Sequence, residues 1–460
     1  MTAALDADLA ALADVRVQVA ATKKAYEAIE GADQEWLDTI VRAMAKAGTE
    51  AAEELARLAV DETGYGVYEN KIVKNRYNTG FVADWMLERR AVGVLWVDEA
   101  NKVTAIGAPM GLIAAIIPVT NPTSTVLFKS LAAVKAGNAV VHAPHPRAAR
   151  CSARAAEVMA EAAVRAGAPE HLVSCLQSPT LDATRELMGH RDVRLVLATG
   201  GPAMVAAAYS SGKPTIAVGA GNVPAYVDAS VPDVAEAATM IVESKSFDNG
   251  TACVAEQSVV VADAVADRFY REIERAGAAW LSPDQQRALA RVLFDERGGL
   301  RPASVGQSAG KLAELSGFTV PGHTKVLAAE LDRVHADELL SREILGPVLS
   351  IYREGDVDAG WRRCREILAL GGEGHTVAVH AADAEVVAKF GSLPAGRIVV
   401  NTPALFGGMG YSANVDPSFQ LGTGTWSGSI CSDNVTPLHL VNIKRVAHQV
   451  RPWRGVFDQP

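Results

Sequence analysis

Along residues 3 to 60 the apolar positions recur at helical spacing, as in Trp36, Leu37, Ile40, Val41 and Met44, with acids and lysines on the other faces. This periodicity predicts packing helices. From Val103 onward the pattern changes: the short apolar runs GLIAAIIPV, NAVVHAP, LVSCLQ and VRLVLATGG alternate with the longer stretches TSTVLFKSLAAV, RAARCSARAAEVMAEAAVRAG and DATRELMGH. Strands that alternate with helices predict βαβ units and a parallel sheet. This α/β unit runs to about Pro224. A second one opens with the helical VPDVAEAATMIVESKSF, passes Cys253 and the strand QSVVVAD, and continues to a glycine-rich region near Gly410. Two adjacent α/β units with a cleft between them set a bound ligand against a nucleophile.

Composition narrows the function. A chain of 460 residues suggests about three domains, and 49% hydrophobic content with 21% charged residues is that of a globular protein. The formal charge of -9 and the lack of a dense Lys/Arg stripe argue against nucleic acid or an anionic membrane as partner. The longest apolar run, AIGAPMGLIAAIIPV at residues 105 to 119, is too short to span a bilayer and carries two prolines. The start, MTAALDADLAALADV, has neither the basic region nor the cleavage site of a secretory signal, so a cytoplasmic protein is expected. Five cysteines, an odd number with no C-x-x-C spacing, suggest neither a disulfide framework nor a metal site.

Four segments hold candidate chemistry. In KSFDNGTACVAEQSVVV, Cys253 sits in a turn between a helical run and a strand, either as a small buried residue or as a nucleophile. In VRLVLATGGPAMVAAAY a buried strand ends at Thr199, Gly200 and Gly201 follow, and Pro202 opens a helix. Backbone N–H groups there would suit a diphosphate, although Gly-Gly-Pro is also a plain tight turn. In IIPVTNPTSTVLF, Asn121 or Thr120 is either a helix N-cap or, for Asn121, an amide donor to a developing oxyanion. In SREILGPVLS, Glu343 is either a solvated loop acid or an acceptor for ribose hydroxyls.

Taken in their order along the chain, the four segments resemble the aldehyde dehydrogenase superfamily over essentially the whole chain. The resemblance rests on Asn121 in a P-x-x-N-P context, strand-TGG-helix, Cys253, and Glu343 with Gly346 and Pro347. It is closest to the CoA-acylating branch, including the N-terminal half of bifunctional aldehyde-alcohol dehydrogenases and the sulfoacetaldehyde dehydrogenases. The carriers are APMGLIAAIIPVTNPTST, PHPRA, VGAGNVP, FDNGTACVAEQSVVV, GHT at 374 to 376 and GTGTWSG. Hydrolytic members have E-L-G-G-K, with a water-activating Glu, where this chain has VGAGN at 218 to 222. With Val218 or Gly219 in that place, a thioester on Cys253 would wait for another nucleophile, and the thiol of coenzyme A fits.

The resemblance implies a Rossmann-like cofactor domain at 1–92 and 107–223, an α/β catalytic domain at 224–436 and oligomerisation segments at 93–106 and 437–460. It further implies a homodimer or homotetramer. Cys253 as thiolate is the implied nucleophile, Asn121 and the Cys253 N–H the oxyanion donors, and His375 an aid to proton transfer or thiol entry. His375 can equally be a histidine at a strand edge. The cofactor is NAD or NADP, with Thr120, His142, Pro144, His145, Arg147, Thr199, Gly200, Gly201, Gly219, Glu343 and Pro347 as its expected contacts. His142 and His145 stand where hydrolytic members have Lys and a nearby Glu on the adenosine ribose, and Arg147 is close enough in sequence to attract a 2′-phosphate. The expected reaction is reversible oxidation of a small aldehyde, such as acetaldehyde, propionaldehyde or sulfoacetaldehyde, to its acyl-CoA. A hydrolytic aldehyde dehydrogenase and a cysteine acyltransferase with a vestigial nucleotide cleft are the alternatives.

Overall fold

A computed structural model of the chain describes residues 6–456. The amphipathic N-terminal segments form the helices Ala7–Ala28, Gln34–Glu50 and Ala52–Thr63. The apolar runs from Leu112 to Val218 form a five-stranded parallel sheet. Its strand order is Val173–Cys175, Ala139–Pro144, Leu112–Ile117, Val193–Thr199 and Thr215–Val218. The chain therefore winds outward in both directions from Leu112–Ile117. That strand, LIAAII, has no polar residue because helices cover both faces: Ile113, Ala115 and Ile117 enter one core, and Leu112, Ala114 and Ile116 enter the other.

The second unit is a seven-stranded sheet, also parallel throughout, in the order 278–280, 326–330, 348–354, 256–262, 223–227, 374–380 and 395–400. Val260 faces one of its two cores, and Val259 and Val261 face the other. A separate antiparallel sheet joins Gly93–Asp98, Val103–Pro109 and Val441–Ala447. No helix among the described residues is long and apolar enough to cross a membrane.

The order of the five-stranded sheet creates a switch point between Leu112–Ile117 and Val193–Thr199, whose connections leave in opposite directions. Open α/β sheets bind ligands just beyond the carboxyl ends of the strands at such a point. Pro118 to Asn121 and Gly200 to Gly201 flank it, and the amino ends of the strands beginning at Glu256, Val348 and Gly374 face it from the other unit.

Candidate active site

A cleft of about 530 Å³ lies between the two parallel sheets. It is lined by Thr120, Asn121, Pro144, His145, Thr199, Gly200, Gly201, Gly219, Cys253 and Glu343, with Ile116, Ile117 and Leu345 among its apolar walls. It thus collects most of the residues that the sequence singled out. Gly201 N-caps the helix Pro202–Tyr209, and Pro202 stands at its first position. The N-terminal turn opens on the cleft with no side chain at Gly200 or Gly201 to cover it, so an anionic diphosphate fits there.

Cys253 is partly exposed at the cleft floor, three residues before the strand Glu256–Ala262 begins. Its Sγ lies 3.3 Å from His375 Nε2. His375 is fully buried within the strand Gly374–His380, and its Nδ1 lies 3.1 Å from Thr376 Oγ1. Burial, with the nearby Arg397, lowers the His375 pKa to about 3, so the ring is neutral. Burial and the Glu343 carboxylate push the Cys253 thiol up to about 12. Without ligand the nucleophile is therefore a thiol facing a neutral imidazole, and the thiolate implied for the attack has to form at that step. Gly221 lets the neighbouring strand approach this closely, because a Cβ there would lie 2.1 Å from the Cys253 carbonyl oxygen.

Asn121 occupies the N-cap position of the helix Pro122–Lys135, yet its side chain makes no capping bond. Instead Oδ1 accepts from Lys74 Nζ at 2.7 Å, and Nδ2 donates to the Thr251 carbonyl at 3.1 Å. Lys74 also donates to Asp248 Oδ2 at 2.5 Å and to Thr251 Oγ1 at 3.1 Å. Lys71, one helical turn earlier, donates to Asp248 Oδ2 at 3.1 Å and to the Thr120 carbonyl at 3.0 Å. Burial works against the Asp248 charge, but Lys74 and Lys71 outweigh it and hold the carboxyl below its usual range. Burial brings Lys74 down to about 8 despite Asp248.

Sequence reasoning missed Lys71, Lys74 and Asp248, because nothing in YENKIVKNRY sets its lysines apart from those of an ordinary solvated helix. It also missed Arg397, which is buried and whose hydrogen-bond acceptors among the described residues are neutral. Its guanidinium donates to Thr376 Oγ1 at 3.2 Å, Asn434 Oδ1 at 2.8 Å and the His375 carbonyl at 3.0 Å, and it braces the His375 strand.

Glu343 Oε1 accepts from the Gly221 N–H at 2.7 Å. Burial raises its pKa to about 7, with the Gly221 N–H and Lys245 pulling the other way. Because an ionised Glu343 raises the Cys253 pKa, Glu343→Gln should speed alkylation of ligand-free Cys253 by iodoacetamide, by roughly three- to tenfold at pH 8. An unchanged or slower rate means that this carboxylate does not act on the thiol.

Three expected cofactor contacts lie elsewhere. His142 is fully buried, with Nε2 2.8 Å from Ser130 Oγ, because its position in the strand turns it toward the covering helix. Arg147 points its guanidinium onto Tyr65, donating to the hydroxyl at 2.8 Å, and does not line the cleft. Pro347 is buried where its carbonyl accepts from the Leu327 N–H at 2.9 Å, and it too is absent from the lining. Cys151, Cys175, Cys364 and Cys431 are all buried.

A second cavity of about 380 Å³ is walled by Lys74, Tyr77, Phe81, Phe247, Phe406 and Met409. The nucleophile lines the cleft suited to an anionic ligand, and this second cavity is lined by aromatic rings.

Comparison with known proteins agrees with this geometry. The aldehyde dehydrogenase family profile matches residues 3–287. The bifunctional aldehyde-alcohol dehydrogenase of Escherichia coli (strain K12) is 40% identical over 95% of this chain. The aligned region is 49% of the relative, so the chain spans about half the length of such curated relatives. The crystal structure of an acetylating aldehyde dehydrogenase from Geobacillus thermoglucosidasius superposes with a TM-score of 0.95 at 43% identity, covering 98% of this chain and 99% of that one. A propionaldehyde dehydrogenase of Rhodopseudomonas palustris, solved with bound CoA and an acylated cysteine, superposes with a TM-score of 0.85 at 28% identity, covering 94% of this chain and 97% of that one. With a parallel-sheet switch point, a cysteine at its mouth and this likeness over nearly the full length, the chain belongs to the aldehyde dehydrogenase family.

Proposed function

We propose that this chain is a cytoplasmic CoA-acylating aldehyde dehydrogenase, which converts a small aldehyde, NAD or NADP and coenzyme A reversibly to an acyl-CoA and the reduced cofactor. The observation that carries the reading is the pairing of Cys253 Sγ with His375 Nε2 beside a VGAGN segment that has no side-chain base. With a proton on Nδ1 donated to Thr376, Nε2 is the nearest acceptor for the thiol proton. Because burial leaves this imidazole weakly basic, the proton moves only together with formation of the bond from Sγ to the aldehyde carbon. The Asn121 amide and the Cys253 N–H then hold the thiohemiacetal oxygen as its charge develops. A nicotinamide bound in the cleft supplies the acceptor for the hydride that leaves this carbon.

Thr120, Pro144, His145, Thr199, Gly200, Gly201, Gly219 and Glu343 are the residues that would hold the cofactor. What remains on Cys253 is a thioester. The thiol of coenzyme A attacks it, losing its proton, and Cys253 leaves as the sulfur of the broken bond and regains a proton. The aromatic cavity is the entrance for the aldehyde. Residues 1–92 and 107–223 serve cofactor binding and 224–436 catalysis, while 93–106 and 437–460 serve subunit pairing. Val94, Trp96, Val97, Ile443 and Val446 are exposed on the antiparallel sheet and support a homodimer or homotetramer. A monomer by light scattering at micromolar concentration removes that part of the proposal.

The hydrolytic alternative is favoured by one observation, the Glu343 carboxylate against Gly221, with a pKa near that of a working base. One experiment separates the two. Protein is incubated with each nicotinamide cofactor and with acetaldehyde, propionaldehyde or sulfoacetaldehyde, with and without CoA, and reduced cofactor, acyl-CoA and free acid are followed together. Equal amounts of reduced cofactor and acyl-CoA, formed only with CoA, are expected. Reduced cofactor with free acid and no acyl-CoA would establish hydrolysis and overturn the proposal.

A further inference from the structure

We infer that Lys74 is the positioning residue of the oxyanion donor, and that it does this by tying the Asn121 junction to the turn that carries Cys253. The inference rests on the role proposed above for Asn121. An ammonium has three donors and no acceptor. Here all three are engaged, by Asn121 Oδ1 at 2.7 Å, Asp248 Oδ2 at 2.5 Å and Thr251 Oγ1 at 3.1 Å. An Asn121 amide turned the other way would set its NH2 against this ammonium. Lys74 therefore fixes which end of the amide faces the nucleophile loop.

The same contacts fix distance. The two expected oxyanion donors, Asn121 Nδ2 and the Cys253 N–H, belong to different units of the fold. Asn121 stands where the five-stranded sheet passes into a helix, and Cys253 follows the turn Phe247–Gly250 before a strand of the seven-stranded sheet. Lys74 bonds to Asn121 on one side and to Asp248 and Thr251, in the segment leading to Cys253, on the other. Asp248, on the Cys253 side, is itself held at left-handed φ of 51° by a clamp from residues 67 to 74. Its carboxylate accepts from the Val67 N–H at 2.7 Å, Thr251 Oγ1 at 2.7 Å and Lys71 at 3.1 Å, and its own N–H donates to Asn70 Oδ1 at 2.9 Å. Backbone strain of this kind persists where surrounding contacts over-determine it.

Lys71 provides the control. It bonds to the same carboxylate but not to Asn121, so Lys71→Met and Lys74→Met each remove one charge from Asp248, and only the second frees the amide.

The test is a double-mutant cycle read on single-turnover formation of reduced cofactor, with thermal unfolding as the fold control. Asn121→Ala is expected to slow the hydride step by about 100-fold, the usual cost of a lost oxyanion donor. Lys74→Met is expected to cost about 10- to 100-fold alone and about twofold or less in the Asn121→Ala background, while the cost of Lys71→Met is the same in both. If Lys74→Met costs the same factor in both backgrounds, Lys74 supports the fold only and the inference fails, while the role of Asn121 stands. If Asn121→Ala leaves the hydride step unchanged, the role of Asn121 fails and takes the inference with it. Should Lys74→Met not fold, Lys74→Gln carries the cycle. Its amide can present either oxygen or NH2 to Asn121, so the same non-additivity is expected and additive losses overturn the inference.

Discussion

Cys253→Ala should lower single-turnover formation of both reduced cofactor and acyl-CoA by about 10⁴-fold or more, while leaving the thermal midpoint nearly unchanged. The first part follows from the route. If the aldehyde carbon must bond to Sγ before it can lose hydride, no other group at the cleft floor replaces the sulfur, and removal of a nucleophile costs the whole covalent pathway. The second part follows from position. Cys253 is partly exposed beside a cavity, so truncating it removes one small group without opening a void in either core. A Cys253→Ala enzyme that still makes acyl-CoA at a tenth of the normal rate would mean that a different cysteine, or none, carries the acyl group. The other four are buried, and burial raises the pKa of each one, so they offer no ready substitute.

The largest effect on stability is expected at Asp248. Asp248→Ala leaves the ammonium groups of Lys71 and Lys74 without an anion at positions where each side chain is about 4% exposed. It also removes the acceptor for the Val67 N–H and the Thr251 hydroxyl. Breaking a buried ion pair from one side costs about 3–5 kcal/mol. The penalty should depend on pH in a definite direction. Without Asp248, the folded-state pKa of Lys74, already lowered by burial to about 8, falls further below the unfolded value of about 10.4, so folding must expel a proton that the unfolded chain keeps. The penalty is therefore largest on the acid side of neutrality and fades as pH rises through about 8, where Lys74 loses its proton in the folded wild type as well. Asp248→Asn, which preserves shape but not charge, should retain the acceptor for Val67 and lose less. Denaturation of the three proteins at pH 7 and pH 9.5 reads this out. Equal midpoints for wild type and Asp248→Ala at pH 7 would mean that the lysines are not held by charge.

How much of the site was legible depended on the kind of residue. Cys253, Asn121, Glu343 and the Thr199–Gly201 turn lie at strand ends, where local sequence (a turn residue, a proline at a first helical position) already announces a change of direction. These residues do meet in one cleft. His142 and Arg147 were misplaced because closeness in sequence does not fix facing. Along Ala139–Pro144, side chains alternate between faces, and His142 shares the parity of Val140, which packs into the core beneath the helices. Arg147 lies just beyond the strand and found a nearer partner in Tyr65. The bland reading of Asn121 as a cap was half met: the residue holds the N-cap position while its side chain bonds elsewhere.

The sequence by itself determined the element types, the two α/β units and the residue types at the cleft, because periodicity and turn chemistry act over a few residues. Only the tertiary structure decided the charge state of the thiol, the orientation of the Asn121 amide and the role of two lysines in a polar helix. These depend on burial and on partners more than 170 positions apart, as between Lys74 and Asp248. A pKa or an amide orientation belongs to the surroundings that folding brings together, and no local pattern encodes it.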